Sequence, residues 1–204
     1  DEMIPSVVNE YDPYRSYWSS SPAAYPGNVF ADRLSGDEHD WSIWFGREPI
    51  ESFHKNVPRF VSEYGVQSYS SWEVLNTIAY EDDLYFQSDF MQHRQRSRLD
   101  FIKPGYNSNH HMRWYYEQYF KKPENFKEEI IISQMFHSFA LKTAIEAHRS
   151  NMPNCMGSLY WQINDCWPTM SWATVDYYGN WKAPHYTVKK VFEPVIVVPQ
   201  MYQE

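Results

Sequence analysis

Glu63 closes a short apolar run, Arg59-Phe60-Val61-Ser62, and Tyr64-Gly65 ends it. The run reads as a compact strand over Pro58 to Glu63 with a carboxylate at its last position. A glutamate so placed can do two things. It can cap the turn that follows, or it can serve as nucleophile or general acid–base at a strand end. A second apolar run, Gly157 to Ile163, carries Trp161 and ends in Asn164-Asp165. Trp161 could pack or could offer its face to a sugar, and Asn164 and Asp165 could bind a hydroxyl or tie down the loop. Asn9-Glu10 follows Val7-Val8, which could pass for a strand end. Eight histidines raise the question of a metal. His93, the pair His110-His111, His137 and His148 show no His-x3-His spacing, and Cys155 and Cys166 are not a Cys-x2-Cys pair. No metal and no cofactor are therefore expected.

Composition narrows the partner. Aromatic residues are 19% of the chain, with 9 Trp and 17 Tyr. Rings with polar edges suit carbohydrate, whose C–H faces stack on them, and they also suit a large buried interface. The formal net charge of -8 argues against nucleic acid, which wants a basic face. No apolar run of roughly twenty residues exists, so no membrane partner is expected. Two cysteines are too few for a disulfide scaffold. The absence of any Asn-x-Ser/Thr acceptor favours a bacterial periplasmic or secreted protein over a lysosomal eukaryotic one.

Elements must hold these residues in place. Met3 to Tyr11 reads as the tail of a helix stopped by Asp12-Pro13. Arg15 to Trp18 could be a buried strand, with Arg15 in an interior salt bridge. A loop rich in Pro, Gly and Asp runs to about Asp40, and Trp41 to Phe45 is a further short apolar strand ended by Gly46. Helical pieces run from Trp72 to Phe120. Lys127 to Arg149 is the longest helix, acidic at its start and basic at its end, with a packing stripe of Ile131, Met135, Phe139 and Thr143. Ala183 to Phe192 reads as helix, and Pro194 to Pro199 as the opening strand of something new. Short strands alternating with longer helical segments predict an α/β fold with parallel strands, about four strand-plus-helix units in all.

Three stretches together resemble the β-mannosidases of glycoside hydrolase family 2. One is Arg59-Phe60-Val61-Ser62-Glu63-Tyr64-Gly65-Val66-Gln67-Ser68. Another runs from Gly157 through Tyr160-Trp161-Gln162-Ile163-Asn164-Asp165-Cys166-Trp167-Pro168 to Ser171-Trp172, Val175 to Gly179 and Trp181-Lys182. The third is Asp12-Pro13, Arg15, Ser19 to Pro22, then Gly36-Asp37, His39, Trp41, Trp44 and Gly46. The resemblance implies the C-terminal half of a (β/α)8 barrel over residues 1–192, with 193–204 as a linker or the start of a β-sandwich domain. It implies exo-hydrolysis of terminal β-D-mannose with retention, Glu63 as nucleophile on the seventh strand, and Trp161 in the floor under the sugar. Trp44, Asn164 and Tyr64 are the further substrate-binding candidates. In the family the acid/base glutamate follows an Asn on the fourth strand, which places it upstream of residue 1 rather than at Glu10. The expected partners are a β-mannoside oligosaccharide and the remaining domains of a longer enzyme. The alternatives are a related family 2 glycosidase acting on β-glucosaminides, β-galactosides or β-glucuronides, and a carbohydrate-binding fragment without catalysis. A half barrel leaves strand edges open, so the piece by itself is expected to be inactive.

Overall fold

The computed structural model describes residues 2–22, 35–55 and 57–199. Six helices carry most of the regular structure: α1 (Met3–Tyr11), α2 (Trp72–Ile78), α3 (Asp89–Arg94), α4 (Ser108–Tyr119), α5 (Phe126–Ser150) and α6 (Ala183–Val191). Two strands, β1 (Glu38–His39) and β2 (Val61–Glu63), pair in parallel. A third extended segment joins the other side of β2, where Ser158 bridges Val61 in parallel. Val61 N–H donates to Gly157 O, Leu159 N–H to Val61 O and Trp161 N–H to Tyr64 O. The fold is thus α/β, with a small parallel sheet. The described residues show two strands and this bridged third, fewer than the four units expected.

Helix limits follow from local chemistry. Asn125 caps α5 by accepting the Glu128 N–H at 3.0 Å, and Glu128 and Glu129 sit in the first turn against the positive end of the dipole. His148 and Arg149 occupy the last turn. Ser71 caps α2, Ser88 caps α3 and Asn107 caps α4 in the same way. The helices over Met3–Tyr11, Trp72–Phe120, Lys127–Arg149 and Ala183–Phe192 fall within a residue or two of where the sequence places them.

The face that α5 buries differs from the expected one. Ile131 and Met135 are about half exposed, and the buried stripe is Ile130, Ser133, Phe136, His137, Ala140, Leu141, Ala144, Ile145 and His148. The run Ile130-Ile131-Ile132 fits more than one helical phase, and small or polar residues such as Ser133 and Ala140 complete the true one. That face packs on α6, on α4 and on the 3-10 turn Ile50–His54.

Three expected strands are absent. Arg15 to Trp18 is not a strand; the Arg15 side chain is exposed and pairs locally with Asp12 at 2.6 Å. Trp41 to Phe45 is a turn that follows β1, closed by Phe45 N–H to Trp41 O. Residues 194–199 form no strand, and Val195 and Val197 are exposed. Part of the Pro/Gly/Asp-rich loop, at 23–34, and the last residues, 200–204, lie outside the described set. Among the described residues no helix is long and apolar enough to cross a membrane.

A buried cation ties together the two loops that leave the sheet. Lys182 is almost wholly enclosed, and its Nζ donates to Ser68 O at 3.0 Å and Ser171 O at 3.3 Å. Ser68 and Ser171 also bridge each other through Ser68 N–H to Ser171 O at 3.0 Å. Burial pulls the Lys182 ammonium down to about 8, while Asp165 and Asp176 act in the other direction. The loop after β2 and the loop after the third extended segment are therefore held together.

Candidate functional site

Glu63 ends β2 and is half-buried, with its carboxylate turned toward the residues of β1 and the turn after it. Trp41 Nε1–H donates to Glu63 Oε2 at 3.2 Å. His39 Nδ1 lies 3.4 Å from the same oxygen. Backbone pairing sets this arrangement, because Asp40 N–H donates to Glu63 O at 2.8 Å and places His39 and Trp41 on either side of it. His39 and Trp41 flank a tight turn at Asp40, where Trp41 N–H donates to His39 O at 3.2 Å, and both side chains approach Glu63 Oε2. Both residues belong to the third stretch of the resemblance, but neither is among the site candidates read from the sequence, because their meeting with Glu63 depends on the register with β2.

Trp161 stands on the neighbouring extended segment. Its N–H donates to Tyr64 O at 2.8 Å, and its side is 43% exposed. The approach of the two segments depends on Gly65. A Cβ there would lie 2.3 Å from Trp161 O and 3.5 Å from Trp172 Cδ1. Only a residue without a side chain permits that contact. An accessible carboxylate and an accessible indole thus come from adjacent positions of one small sheet.

The aromatic wall around Glu63 is continuous. Trp41 meets Phe45 at 5.4 Å between ring centroids and Trp172 at 6.0 Å, edge-on. Trp172 in turn meets Trp44 at 6.3 Å. The rings hold the Trp41 indole in the orientation that presents its N–H to Glu63.

Two expected substrate contacts are packing residues instead. Trp44 has no exposed surface; it stacks on Tyr115 at 5.8 Å and meets His111 edge-on at 4.9 Å. A ring with neither face open has no surface to offer a sugar in this structure. Tyr64 is equally buried, its hydroxyl shares a hydrogen bond of 2.7 Å with Ser158 Oγ, and its ring lies against His148 and Phe53. Burial raises the Tyr64 phenol well above the ordinary tyrosine range, so it stays neutral. Strand alternation accounts for this, since Glu63 and Tyr64 point to opposite sides of the sheet.

Asn164 is exposed, donates from Nδ2 to Asp165 O at 3.3 Å, and bridges Val175 through its backbone. Asp165 is buried and accepts from Ser171 Oγ at 2.8 Å and from Gln162 Nε2 at 3.4 Å. Burial raises its carboxyl, an effect countered by Ser171 and Lys182. Asp165 therefore fastens its loop. Gln67 is also structural: its Oε1 accepts from Gln95 Nε2 at 2.9 Å in the interior. Glu10 lies within α1, away from any strand end, on a helix that buries no residue. Among the described residues no three His, Cys, Asp or Glu side chains group as a metal site.

What such a site can do follows from its parts. A half-buried carboxylate that accepts from the Trp41 indole N–H and faces the His39 ring can act as a nucleophile or as a general base. The open Trp161 indole on the neighbouring segment offers a flat apolar face of the kind that stacks on a sugar ring.

No family model matches the chain. Curated relatives do. It is 30% identical to β-mannosidase B of Aspergillus niger over 97% of its own length, and 31% identical to the β-mannosidase of Bos taurus over 96%. Each alignment spans 23% of the relative's length, so the chain covers about a quarter of those proteins. Among solved structures, a β-D-mannosidase from Dictyoglomus thermophilum matches 93% of the chain at a TM-score of 0.82 and 35% identity, covering 22% of that protein. An exo-chitosanase from Amycolatopsis orientalis shares the fold over 72% of the chain at a TM-score of 0.55 and 17% identity. With this similarity running along nearly its whole length, the chain is β-mannosidase-like and belongs with the glycosidases of glycoside hydrolase family 2.

Proposed function

We propose that the chain supplies the nucleophile half of a retaining exo-β-mannosidase that removes terminal β-D-mannose from the non-reducing ends of oligosaccharides or glycoconjugates. The observation that carries this reading is Glu63 at the end of a parallel strand, with Trp161 exposed on the next one. In this reading residues 1–192 are the C-terminal half of a (β/α)8 barrel, whose active residues gather at the C-terminal ends of the strands. Residues 193–204 lead out of it toward a following domain.

The reaction takes two displacements. An oxygen of Glu63 bonds to the anomeric carbon as the bond from that carbon to the leaving oxygen breaks, and a carboxylic acid gives its proton to that oxygen. Water then attacks the glycosyl-enzyme, loses its proton to the same acid–base residue, and frees Glu63. The two carboxyls of a retaining pair stand about 5–5.5 Å apart. Glu10 is not taken as the second one, and the acid/base is assigned to the part of the barrel that carries the fourth strand. Trp161 is assigned to the floor of the sugar site, and Asn164, exposed at the loop beside it, to a sugar hydroxyl.

The test is Glu63→Gln in the complete polypeptide with an aryl β-mannoside. Loss of at least about a thousandfold in kcat is expected, and activity within about tenfold of the parent rejects the assignment. Relative rates on aryl β-mannoside, β-glucosaminide, β-galactoside and β-glucuronide decide the sugar, because the scaffold alone does not.

A further inference from the structure

The ring of His39 is held from behind. Its Nε2 lies 3.0 Å from Ser21 Oγ, and its Nδ1 faces Glu63 Oε2. Ser21 Oγ donates to Asp37 Oδ2, and Ser62 Oγ donates to the same oxygen. A hydroxyl has one proton to give. With that proton on Asp37, the Ser21 oxygen accepts from His39, so Nε2 carries a hydrogen. A neutral ring would then turn the bare lone pair of Nδ1 toward the Glu63 carboxylate, which repels it. The contact is attractive when both ring nitrogens carry hydrogen.

We propose that Asp37, acting through Ser21, orients the His39 ring, and that His39 and Trp41 together engage Glu63 Oε2 so that Oε1 is the attacking oxygen. This rests on the reading of Glu63 as nucleophile. The geometry is one-sided: both ring contacts converge on Oε2, and among the described residues none engages Oε1. In the first displacement Oε1 forms the bond to the anomeric carbon, the electron pair of the breaking bond passes to the leaving oxygen, and that oxygen takes the proton of the acid. Oε2 becomes the carbonyl oxygen of the ester and keeps its contacts throughout. His39 is thus a positioning residue. Ser21 and Asp37 orient it and touch no reacting atom.

The test uses the complete polypeptide with an aryl β-mannoside, comparing the parent with Glu63→Gln, His39→Ala, His39→Gln and Ser21→Ala. His39→Ala should lower kcat by roughly 10- to 100-fold, as expected for loss of a hydrogen bond to a charged group, with KM changing less than about threefold. Added imidazole should restore several-fold of that loss in His39→Ala and nothing in Glu63→Gln. Ser21→Ala removes one exposed hydroxyl and carries the test if the His39 variants fail to fold; a fall in kcat of about three- to tenfold at unchanged KM is expected. An active parent with a silent Glu63→Gln, together with a Ser21→Ala or a His39→Ala within twofold of the parent or deaf to imidazole, overturns the positioning role and leaves the nucleophile standing. An active Glu63→Gln overturns both.

Discussion

Acidification should weaken this protein through histidines that its fold holds neutral. His111 is wholly buried on α4, with Nε2–H donating to Trp44 O, and His148 is buried on α5, with Nδ1 2.8 Å from Ser158 Oγ. Burial pulls each down to about 4 from the ordinary histidine value of 6.5. His137, fully enclosed near Lys182, is displaced in the same direction. An unfolded chain takes up protons below about pH 6.5 that the folded one refuses until pH 4. Stability from this source is therefore complete above pH 6.5 and lost as pH falls toward 4. At pH 5 the loss is about 2 kcal/mol for each of His111 and His148, about 4 kcal/mol together. That corresponds to roughly 8–16 °C in Tm for a chain of this size. The perturbation is His111→Gln, whose amide can still donate to Trp44 O. Urea unfolding followed by tryptophan fluorescence at pH 7.5 and pH 5 is the assay. The variant should be the weaker protein at pH 7.5, because it lacks the ring that packs on Trp44 and Tyr115. Its drop between the two pH values should be smaller than the parent's by about 2 kcal/mol. An equal drop in parent and variant would refute the argument.

Two further substitutions test the frame of the site. Gly65→Ala puts a Cβ 2.3 Å from Trp161 O, a backbone atom that cannot swing away, so a loss of at least about 2 kcal/mol is expected by denaturant midpoint, with activity falling as Trp161 shifts. Arg113→Met leaves the buried Glu129 carboxylate with, among the described residues, only the Tyr116 hydroxyl, at 2.6 Å, and should cost about 3–5 kcal/mol in urea unfolding; adding Glu129→Leu should recover most of it, since the pair removed together leaves no lone buried charge.

Several features of the protein could be read from the chain because their causes are local. The span of α5 is written in Asn125, in Glu128-Glu129 and in His148-Arg149, all within a turn of its ends. The end of β2 at Glu63 is legible from the apolar run and the Tyr64-Gly65 stop. Tertiary structure decided what depends on partners distant in sequence. Trp44 and Tyr64 are buried because α4 and α5 cover them, 67 and 84 residues further on in the pairings Trp44–His111 and Tyr64–His148. The phase of α5 was settled by α6 and the Ile50–His54 turn packing on it, which no count along three consecutive isoleucines could choose. His39 and Trp41 meet Glu63 only through the parallel register of β1 on β2, and Lys182 finds Ser68 across 114 residues. Caps and apolar periods act over one or two turns of chain, whereas burial and hydrogen-bond partnership are properties of contacts that exist only once distant segments have come together.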